Sequence, residues 1–381
     1  MFHAAPSRLN CPGRYHVIPT MNANAKSVAQ SRPQVHTFRA DHLGSFLRPG
    51  ALLDARDHYF KARDISAEQL RAAEDAAIRD VVKFQEKLGF KVITDGEFRR
   101  GSWHGDFLTR LGGVVEQGGR LKIAGPIRHL QAIQLRDFQF LKSATPCVVK
   151  VPIPSPTMLH GRDGAARSVY PDLEEFFDDV AAAYRVEIAS LAAAGCSYVQ
   201  LDDTNLARLC DGAQREAARA RGHDPDRLPY LYARLVNDSL RDRPENMTIG
   251  MHLCRGSLRS RAADGGYEPI AEALFNEFDV DAYLLEFDDA RCGDFAPLRH
   301  LPKGKLVVMG LVTTKLGELE SKDDLKRRID EAARYMPLGQ MCLSPQCGFS
   351  STVHGNQVEV EQQAAKCRLV IETAREVWGA D

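Results

Sequence analysis

The chain has 381 residues, of which 44% are hydrophobic and 27% charged, and its formal net charge is -1. This balance is typical of a folded globular protein, and the near-zero charge excludes a general attraction to nucleic acid. Its nine cysteines do not suit a small disulfide-stapled secreted domain, and no apolar run reaches the roughly 18 residues of a membrane-spanning helix. We therefore expect a cytoplasmic protein without nucleic-acid or membrane partners; its oligomeric state stays open.

The first 37 residues differ from the rest in composition. They are rich in Pro, Ser, Asn, Ala and basic residues, and the first acidic residue is Asp41. This composition predicts a disordered or non-native tail over residues 1–37, with Met21 as an alternative start and an organelle transit peptide as the other interpretation. A single folded domain is then expected over residues 38–381.

Beyond the tail, short apolar runs alternate with longer amphipathic stretches. The runs predict strands near residues 38–45, 90–95, 147–152, 197–202, 247–253, 281–286, 305–311 and 340–344. The stretches predict helices over residues 67–88, 172–194, 227–241, 267–277, 322–335 and 357–377. Ser66 and Gln69 form a capping box that begins the first of these helices.

The alternation predicts an α/β fold, specifically a (β/α)8 TIM barrel. Several of the strands are apolar throughout, as in parallel sheets that helices cover on both faces. A doubly wound sheet is the alternative, but the chain has neither a G-x-G-x-x-G turn nor a P-loop. Residues 105–146 are predicted to be irregular, without a clean helix, as an excursion or small hairpin layer over one mouth of the barrel.

A possible metal pair ends the fifth predicted strand, Thr248-Ile-Gly-Met-His-Leu-Cys254. Residues two apart on a strand project to the same side, so His252 and Cys254 face one point. In a barrel enzyme the carboxyl ends of the strands carry the active site. Imidazole and thiolate together suit a borderline-soft ion such as Zn2+.

Two further strand ends supply matching ligands. Glu286 ends the apolar run Ala282–Glu286, where a carboxylate is costly unless it is paired or coordinated. Cys347 follows the last strand in a turn marked by Pro345 and Gly348. His252, Cys254, Glu286 and Cys347 therefore predict a tetrahedral zinc site.

These residues resemble the catalytic half of cobalamin-independent methionine synthase, and more closely its short single-barrel relatives, from about residue 38 to residue 378. In that family the zinc ligands are a His-x-Cys pair, a Glu at a strand end and a Cys in a Pro-x-Cys-Gly turn. The resemblance implies that His252, Cys254, Glu286 and Cys347 hold Zn2+. Residues 257–266 look like an insertion beside the metal.

The resemblance also implies a binding site for homocysteine. Gly44-Ser45, Glu97 and Asp202 match family positions that hold this amino acid, with the carboxylates on its ammonium and Gly44-Ser45 on its carboxylate. Asp203 competes with Asp202, because the strand register decides which side chain points inward. Zn2+ would turn the bound thiol into a thiolate that attacks the alkyl carbon of a donor.

The chain departs from the family at two places that concern the methyl donor. Lys315 stands where the family has a proton-donating His, and a lysine donates a proton best when its pKa is lowered. His160 lies where the family has its folate-stacking Trp; only Trp103 and Trp378 occur in this chain. The donor is therefore left open among methylfolate, a methyl-corrinoid protein, a methylated sulfur compound and an epoxide.

The expected function is zinc-dependent transfer of a methyl group to homocysteine, giving methionine. One alternative is thiol alkylation of the epoxyalkane:coenzyme M transferase type, in which Arg255, Arg259 and Arg261 would hold a sulfonate. The other is a non-catalytic zinc-stabilised barrel that binds a thiol. A pair of amine-binding carboxylates would repel a sulfonate and favours homocysteine.

Overall fold

A computed structural model describes residues 38–160, 166–256, 263–353 and 355–379. All of them belong to one compact unit, Arg32–Asp381. The predicted tail, residues 1–37, lies outside the described residues. Among the helices of the described part, none is both long enough and apolar enough to cross a membrane.

The structure is an α/β fold built on a curled parallel sheet. Its strands and those of a separate hairpin are β1 Val92–Ile93, β2 Leu111–Gln117, β3 Arg120–His129, β4 Val148–Pro154, β5 Tyr198–Asp203, β6 Thr248–Leu253, β7 Ala282–Glu286, β8 Leu306–Val312 and β9 Met341–Pro345. Seven of them form the parallel sheet in the order β1-β4-β5-β6-β7-β8-β9. Because every neighbouring pair in this sheet is parallel, the carboxyl ends of all seven strands lie at the same edge.

Helices connect these strands. Their bounds are α1 Gly50–Asp57, α2 Ala67–Leu88, α3 Gly105–Leu108, α4 Leu135–Ala144, α5 Ala166–Val169, α6 Leu173–Ala193, α7 Asn205–Arg208, α8 Gly212–Ala220, α9 Leu228–Leu240, α10 Ala271–Glu277, α11 Lys322–Ala332 and α12 Val360–Trp378. The α2 helix has the predicted bounds and the predicted capping box of Ser66 and Gln69.

The first predicted strand is not a regular strand. Residues 39–46, called the bridging segment below, make one isolated parallel bridge at Ala40 to Leu343 of β9 and another at Ser45 to Gly96, beyond β1. Gly44 interrupts the extended backbone with a φ of 117°, and its carbonyl accepts a hydrogen bond from the side chain of Thr94 (2.6 Å). The segment makes backbone hydrogen bonds at its two ends, from Asp41 to Leu343 (2.9 Å) and from Phe46 to Gly96 (3.2 Å). No continuous ladder joins them, and the prediction of eight regular strands is wrong for this one.

Residues 105–146 contain more regular structure than predicted. The β2 and β3 strands form an antiparallel hairpin whose turn, Gly118-Gly119, has positive φ at both residues, which only glycine adopts easily. The prediction of a hairpin layer is confirmed, and the hairpin packs against α6. The prediction of no clean helix is wrong, because α4 buries Phe138 and Leu141 one turn apart.

The interior of the sheet holds one buried ion pair beside its apolar core. The ammonium of Lys150 in β4 lies 2.7 Å from a carboxylate oxygen of Asp41 in the bridging segment. Tyr198 in β5 donates a hydrogen bond to the other oxygen of the same carboxylate (3.0 Å). The pair therefore joins the bridging segment to the middle of the sheet.

Candidate active site

Four side chains with metal-binding atoms meet at the carboxyl edge of the sheet. They are His252 in β6, Cys254 one residue beyond it, Glu286 at the end of β7 and Cys347 two residues beyond β9. One ligand atom from each lies within 4.8 Å of the others. The structure thus brings together all four residues that the sequence predicts as a zinc set.

The geometry of this cluster fits one tetrahedral ion. The sulfur atoms of Cys254 and Cys347 are 3.7 Å apart, and two thiolates at about 2.3 Å from one Zn2+ would be separated by about 3.8 Å. Nε2 of His252 and Oε2 of Glu286 are buried and lack a hydrogen-bond partner among the described residues. Nδ1 of His252 lies 3.1 Å from the carbonyl of Leu284, an arrangement that directs Nε2 at the cluster.

The charges of the cluster also call for a cation. Burial raises the pKa of Glu286 well above its usual range, and the neighbouring sulfur of Cys254 raises it further. A hydrogen bond from Cys347 lowers the pKa of Cys254 well below its usual range, against the effect of burial. A buried thiolate and a buried carboxylate side by side repel each other unless a positive ion lies between them.

Three of the four predicted substrate residues, Ser45, Glu97 and Asp202, line a narrow pocket beside the cluster, called the inner pocket below. Its lining consists of Leu43, Ser45, Glu97, Trp103, Asp202, His252, Cys254, Cys347, Gly348 and Ser351. Gly44 is not part of this lining. Ser45 comes from the bridging segment, Glu97 from the turn after β1 and Asp202 from β5. The cluster and the predicted substrate residues therefore belong to one site.

Glu97 is held in an unusual conformation. Its φ is 59°, a left-handed value that is unfavourable for a residue with a Cβ and often marks functional sites. Burial raises the pKa of Glu97 to about 7, although Arg100 opposes this shift and Asp202 adds to it. The nearest guanidinium nitrogen of Arg100 is 3.6 Å from Oε2 of Glu97, so this oxygen has an ionic neighbour but no hydrogen bond.

The register of β5 decides between the two neighbouring aspartates. Asp202 pairs with His252 across the ladder and lines the inner pocket. Asp203 points away and accepts hydrogen bonds from the side chain of Thr157 and from the backbone N–H of Leu206 at 2.7 Å. Burial raises the pKa of Asp202 to about 6, while His252 opposes the shift.

Ser45 bonds the turn that carries Cys347, while Gly44 packs beside Pro152 and Glu97. The hydroxyl oxygen of Ser45 accepts a hydrogen bond from the backbone N–H of Ser350 (3.2 Å). A Cβ at Gly348 would overlap the Ser45 hydroxyl. A Cβ at Gly44 would approach Pro152 to 2.7 Å and Glu97 to 3.2 Å. The two glycines therefore allow the walls of the inner pocket to approach closely.

A wider cavity of about 430 Å³ opens beside the inner pocket and is called the outer cavity below. Trp103, Cys254, Cys347, Gly348 and Ser351 line both spaces. The remaining lining of the outer cavity includes cationic side chains and no carboxylate from the described residues. The two spaces thus adjoin at the cluster. A molecule bound in the inner pocket and another bound in the outer cavity would contact each other there.

Lys315 lies on the wall of the outer cavity, after β8. Its ammonium is 3.0 Å and 3.2 Å from the two carboxylate oxygens of Asp288 and 3.4 Å from Asp289. Burial favours the neutral amine, but these carboxylates outweigh it and raise the pKa of Lys315. The lowered pKa that would suit an acid catalyst is therefore not found; Lys315 is a fixed cation beside the metal cluster.

Other residues that the sequence analysis singled out lie elsewhere. The guanidinium of Arg255 donates to the carbonyl of Gly265 and stacks over Tyr267, 5.0 Å from the ring centroid. Arg259 and Arg261 lie outside the described residues. His160 is buried, with Nδ1 2.9 Å from the hydroxyl of Tyr232, and burial lowers its pKa to about 4. Neither Arg255 nor His160 lines the inner pocket or the outer cavity.

Several residues of the site were not predicted from the sequence. Trp103 stands between the inner pocket and the outer cavity, and Gln200 donates a hydrogen bond to Asp202 (2.8 Å). Asp288 fixes Lys315. Position offered a signal for two of them, since Gln200 precedes Asp202 by two residues on one strand and Asp288 follows Glu286 by two residues at a strand end.

Comparisons with known proteins identify the family of the chain. Residues 157–366 match the family described as "Cobalamin-independent synthase, Catalytic domain". The uncharacterized protein YxjH of Bacillus subtilis (strain 168) is 45% identical over 361 residues, which cover 90% of this chain and 95% of that protein. The methionine synthase of Pyrococcus abyssi is 24% identical over 321 residues, covering 81% of this chain and 85% of that enzyme.

A solved structure shows the same relationship. A crystal structure of a proposed vitamin-B12-independent methionine synthase from Listeria monocytogenes is 40% identical. It superposes with a TM-score of 0.76, and the match covers 91% of this chain and 100% of that chain. Since the family match spans more than half of the chain and these two relatives align over nearly all of it, the protein is a methyltransferase of the cobalamin-independent synthase family.

Proposed function

We propose that the protein is a zinc-dependent thiol S-methyltransferase that methylates homocysteine to methionine. The observation that carries the proposal is the position of the ligand cluster: its residues His252, Cys254 and Cys347 line the inner pocket together with Glu97 and Asp202. A thiol with an amino group at its other end would place its sulfur at the cluster and its ammonium between these carboxylates.

We propose Zn2+ as the cofactor, held by His252, Cys254, Glu286 and Cys347. Support comes from the orphaned ligand atoms of His252 and Glu286 and from the sulfur-to-sulfur distance, which suits the Zn–S bond length. When bound, such an ion lowers the pKa of a coordinating thiol so that it is present as the nucleophilic thiolate at neutral pH.

The chain's own residues would bind and orient the amino acid. Glu97 and Asp202 are buried carboxyl groups with raised pKa values, so a ligand ammonium would supply the positive charge that stabilises their ionised forms. Gln200 holds Asp202 in place. The hydroxyl of Ser45, next to Gly44, retains its proton for a bond to the ligand carboxylate, because it acts as acceptor towards Ser350.

The outer cavity would hold the methyl donor. Its size suits a substantial small molecule or a group presented by a partner protein. Methylfolate, a methyl-corrinoid protein and a methylated sulfur compound stay open as donors. Lys315 is proposed to protonate or electrostatically stabilise the leaving group, and its raised pKa makes stabilisation by a fixed positive charge the better supported of the two roles.

The alternative of an epoxyalkane:coenzyme M transferase has less support. Its sulfonate would need a free cationic side chain, but Arg255 is engaged with Gly265 and Tyr267. Glu97 and Asp202 would repel a sulfonate in the inner pocket. A non-catalytic thiol-binding barrel disagrees with the enzyme family to which the chain belongs.

We further propose that the bridging segment occupies the position of the eighth strand of a (β/α)8 barrel, since it contacts both edges of the parallel sheet. The folded domain is proposed to be residues 38–381, preceded by a disordered or non-native tail, and the location to be the cytoplasm. A barrel of this kind would gather the strand ends around one mouth, as the site requires.

A thiol titration of the Co2+-substituted protein tests the proposed function. Addition of L-homocysteine is expected to produce a saturable sulfur-to-metal charge-transfer band, while coenzyme M produces none. The Cys347→Ser variant is expected to lose most of the bound metal and the band, whereas Cys196→Ser, a buried cysteine outside the cluster, keeps both. A response to coenzyme M alone would replace homocysteine by a sulfonate thiol, and stoichiometric metal in Cys347→Ser would contradict the ligand set.

A further inference from the structure

Two loop segments form a paired rim over the inner pocket. Residues 100–103 and 350–353, together called the rim below, run antiparallel, with a bridge between Ser102 and Thr352. Trp103 donates its backbone N–H to the carbonyl of Ser351 (3.1 Å), and Val353 donates to the carbonyl of Gly101 (3.3 Å). Since Trp103 and Ser351 line both the inner pocket and the outer cavity, the rim borders both spaces.

One buried side chain connects this rim to the rest of the pocket. Nη2 of Arg48 donates to the carbonyls of Glu97 (2.7 Å) and Arg100 (2.8 Å). Its Nη1 lies 3.1 Å from the carbonyl and 2.9 Å from the hydroxyl of Ser350, and 3.0 Å from the carbonyl of Thr352. Arg48 therefore bonds both segments of the rim and the backbone of Glu97.

The position of Arg48 in the chain adds a third connection. It lies three residues after Ser45 and two residues beyond the bridging segment, which bonds the turn carrying Cys347 through Ser45. Arg48 is only 7% exposed, and all five of its hydrogen-bond acceptors are carbonyl or hydroxyl oxygens. A planar guanidinium can reach several acceptors in fixed directions, which a lysine ammonium on a flexible stem does not.

We propose that Arg48 is a positioning residue that joins the rim to the Glu97 turn and so fixes Glu97 and Trp103 for binding of the thiol substrate. The part that concerns the thiol rests on the proposed function; the part that concerns the rim does not. Arg48 lies beneath the backbone of both segments and does not line the inner pocket. Its effect on substrate is therefore exerted through Glu97 and Trp103.

The fluorescence of Trp103 reports on the rim without any reaction. The chain has only two tryptophans, and Trp378 at the end of α12 contacts the carbonyl of Leu338, far along the chain from the rim. The Trp378→Phe variant thus serves as the parent protein with Trp103 as its single tryptophan. Arg48→Lys is made in this parent, and Arg39→Lys is the matched control, because Arg39 also donates to two backbone carbonyls but outside the rim.

In the zinc-loaded parent, Arg48→Lys is expected to raise the acrylamide quenching constant of Trp103 about twofold or more, because fewer bonds order the rim. The KM for the thiol is expected to rise about tenfold while kcat changes less than about threefold, since ground-state binding is what is lost. Zinc content is expected to stay at the parent's value. Arg39→Lys is expected to change none of these quantities.

Equal quenching and equal thiol KM in Arg48→Lys and the parent would overturn the proposal, as would the same changes in Arg39→Lys. Increased quenching with an unchanged KM would overturn the thiol part. A parent that binds no thiol would refute the proposed function, and the quenching result would still decide the role of Arg48 in the rim. If Arg48→Lys does not fold, Ser350→Ala removes the hydroxyl that accepts from Arg48 and donates to the carbonyl of Thr352 (2.8 Å). It is expected to change quenching and KM in the same direction by a smaller factor.

Discussion

Two buried carboxyl groups at one pocket make an unstable arrangement in the absence of ligand. Glu97 and Asp202 both have raised pKa values, chiefly because burial penalises their ionised forms. Glu97 is also strained, with a φ of 59°. Both the burial of its carboxylate and its left-handed backbone reduce the stability of the fold. Such a residue is expected where ligand binding requires that side chain in that position.

This arrangement predicts a dependence of stability on pH. The pKa of Glu97 is about 7 in the folded protein and about 4.3 in an unfolded chain, so its favourable contribution is complete below the unfolded value and is lost as the pH rises through 7. In the metal-free protein, the free energy of unfolding of the parent should therefore fall relative to that of Glu97→Gln by about 2 kcal/mol when the pH is raised from 5 to 8.

Urea unfolding at the two pH values measures this difference. Glu272→Gln, at an exposed glutamate of α10, is the control and should follow the parent. A constant difference between Glu97→Gln and the parent across the range would mean that Glu97 does not titrate there. The same variant should bind the thiol more weakly, which separates its stability from its function.

Lys315 carries a second prediction. Lys315→Met removes the positive charge beside the metal cluster and is expected to slow methyl transfer about a hundredfold while bound zinc and thiol affinity stay the same. Asp288, whose side chain is only 2% exposed, loses its partner, so the unfolding free energy should fall by about 1–3 kcal/mol.

Single-turnover kinetics with zinc and thiol bound measures the transfer step. Lys303→Met, an exposed lysine before β8, is the control. The double variant with Asp288→Asn should recover stability but not rate. An unchanged transfer rate in Lys315→Met would make Lys315 an ordinary loop residue that pairs with Asp288.

At the residue scale, the sequence predicted the ligands because they occupy strand ends with a period of two. His252 and Cys254 lie on one side of β6 and its extension, as that period requires. Asp202 could not be separated from Asp203 without the register, which the pairing with His252 settles. Arg48 was not predicted because its acceptors in Ser350 and Thr352 are more than 300 residues away in the chain.

At the element scale, the helices with strong local signals were predicted best. The α2 helix begins and ends where the capping box of Ser66 and the glycine at 89 place it. The α4 helix was missed because it is short and lies in a polar region next to a hairpin. The bridging segment was predicted as a strand, but it pairs with its neighbours only at isolated bridges, and the positive φ of Gly44 interrupts its extended backbone.

The capping box supports a prediction of its own. Ser66 accepts the backbone N–H of Gln69 (3.2 Å), and Gln69 accepts that of Ser66 (2.8 Å). Ser66→Ala removes the capping hydroxyl and leaves the backbone N–H of Gln69 without its acceptor. The unfolding free energy is therefore expected to fall by about 1 kcal/mol. Ser143→Ala, at an exposed hydroxyl near the end of α4, is the control for urea unfolding. Equal stability of the two variants would show that the box contributes nothing measurable.

At the scale of the whole molecule, the ion pair of Asp41 and Lys150 joins the bridging segment to β4. The side chains are 4% and 0% exposed, so removal of one charge leaves the other buried without its partner. Lys150→Met is expected to lower the unfolding free energy by about 3–5 kcal/mol. The double variant with Asp41→Leu should recover much of this loss, because two apolar groups replace the two charges.

Calorimetry or urea unfolding of the four proteins in this cycle gives the coupling energy. Lys122→Met, at a half-buried lysine of the hairpin strand β3 that bonds Gln117, is the control. Additive losses of unfolding free energy in the double variant would mean that the pair does not connect the bridging segment to the sheet. This result would weaken the proposal that the segment occupies the position of the eighth strand.

The contacts of the bridging segment have a consequence for the order in which the chain folds during synthesis. Ala40 pairs with Leu343, and Ser45 bonds Ser350, 305 residues later. A ribosome adds about 5–20 residues per second, so the first residues of the domain wait many seconds for their partners. The inner pocket can be assembled only after nearly the whole chain has emerged, and a nascent chain released before Cys347 would carry exposed strand edges and no methyltransferase site.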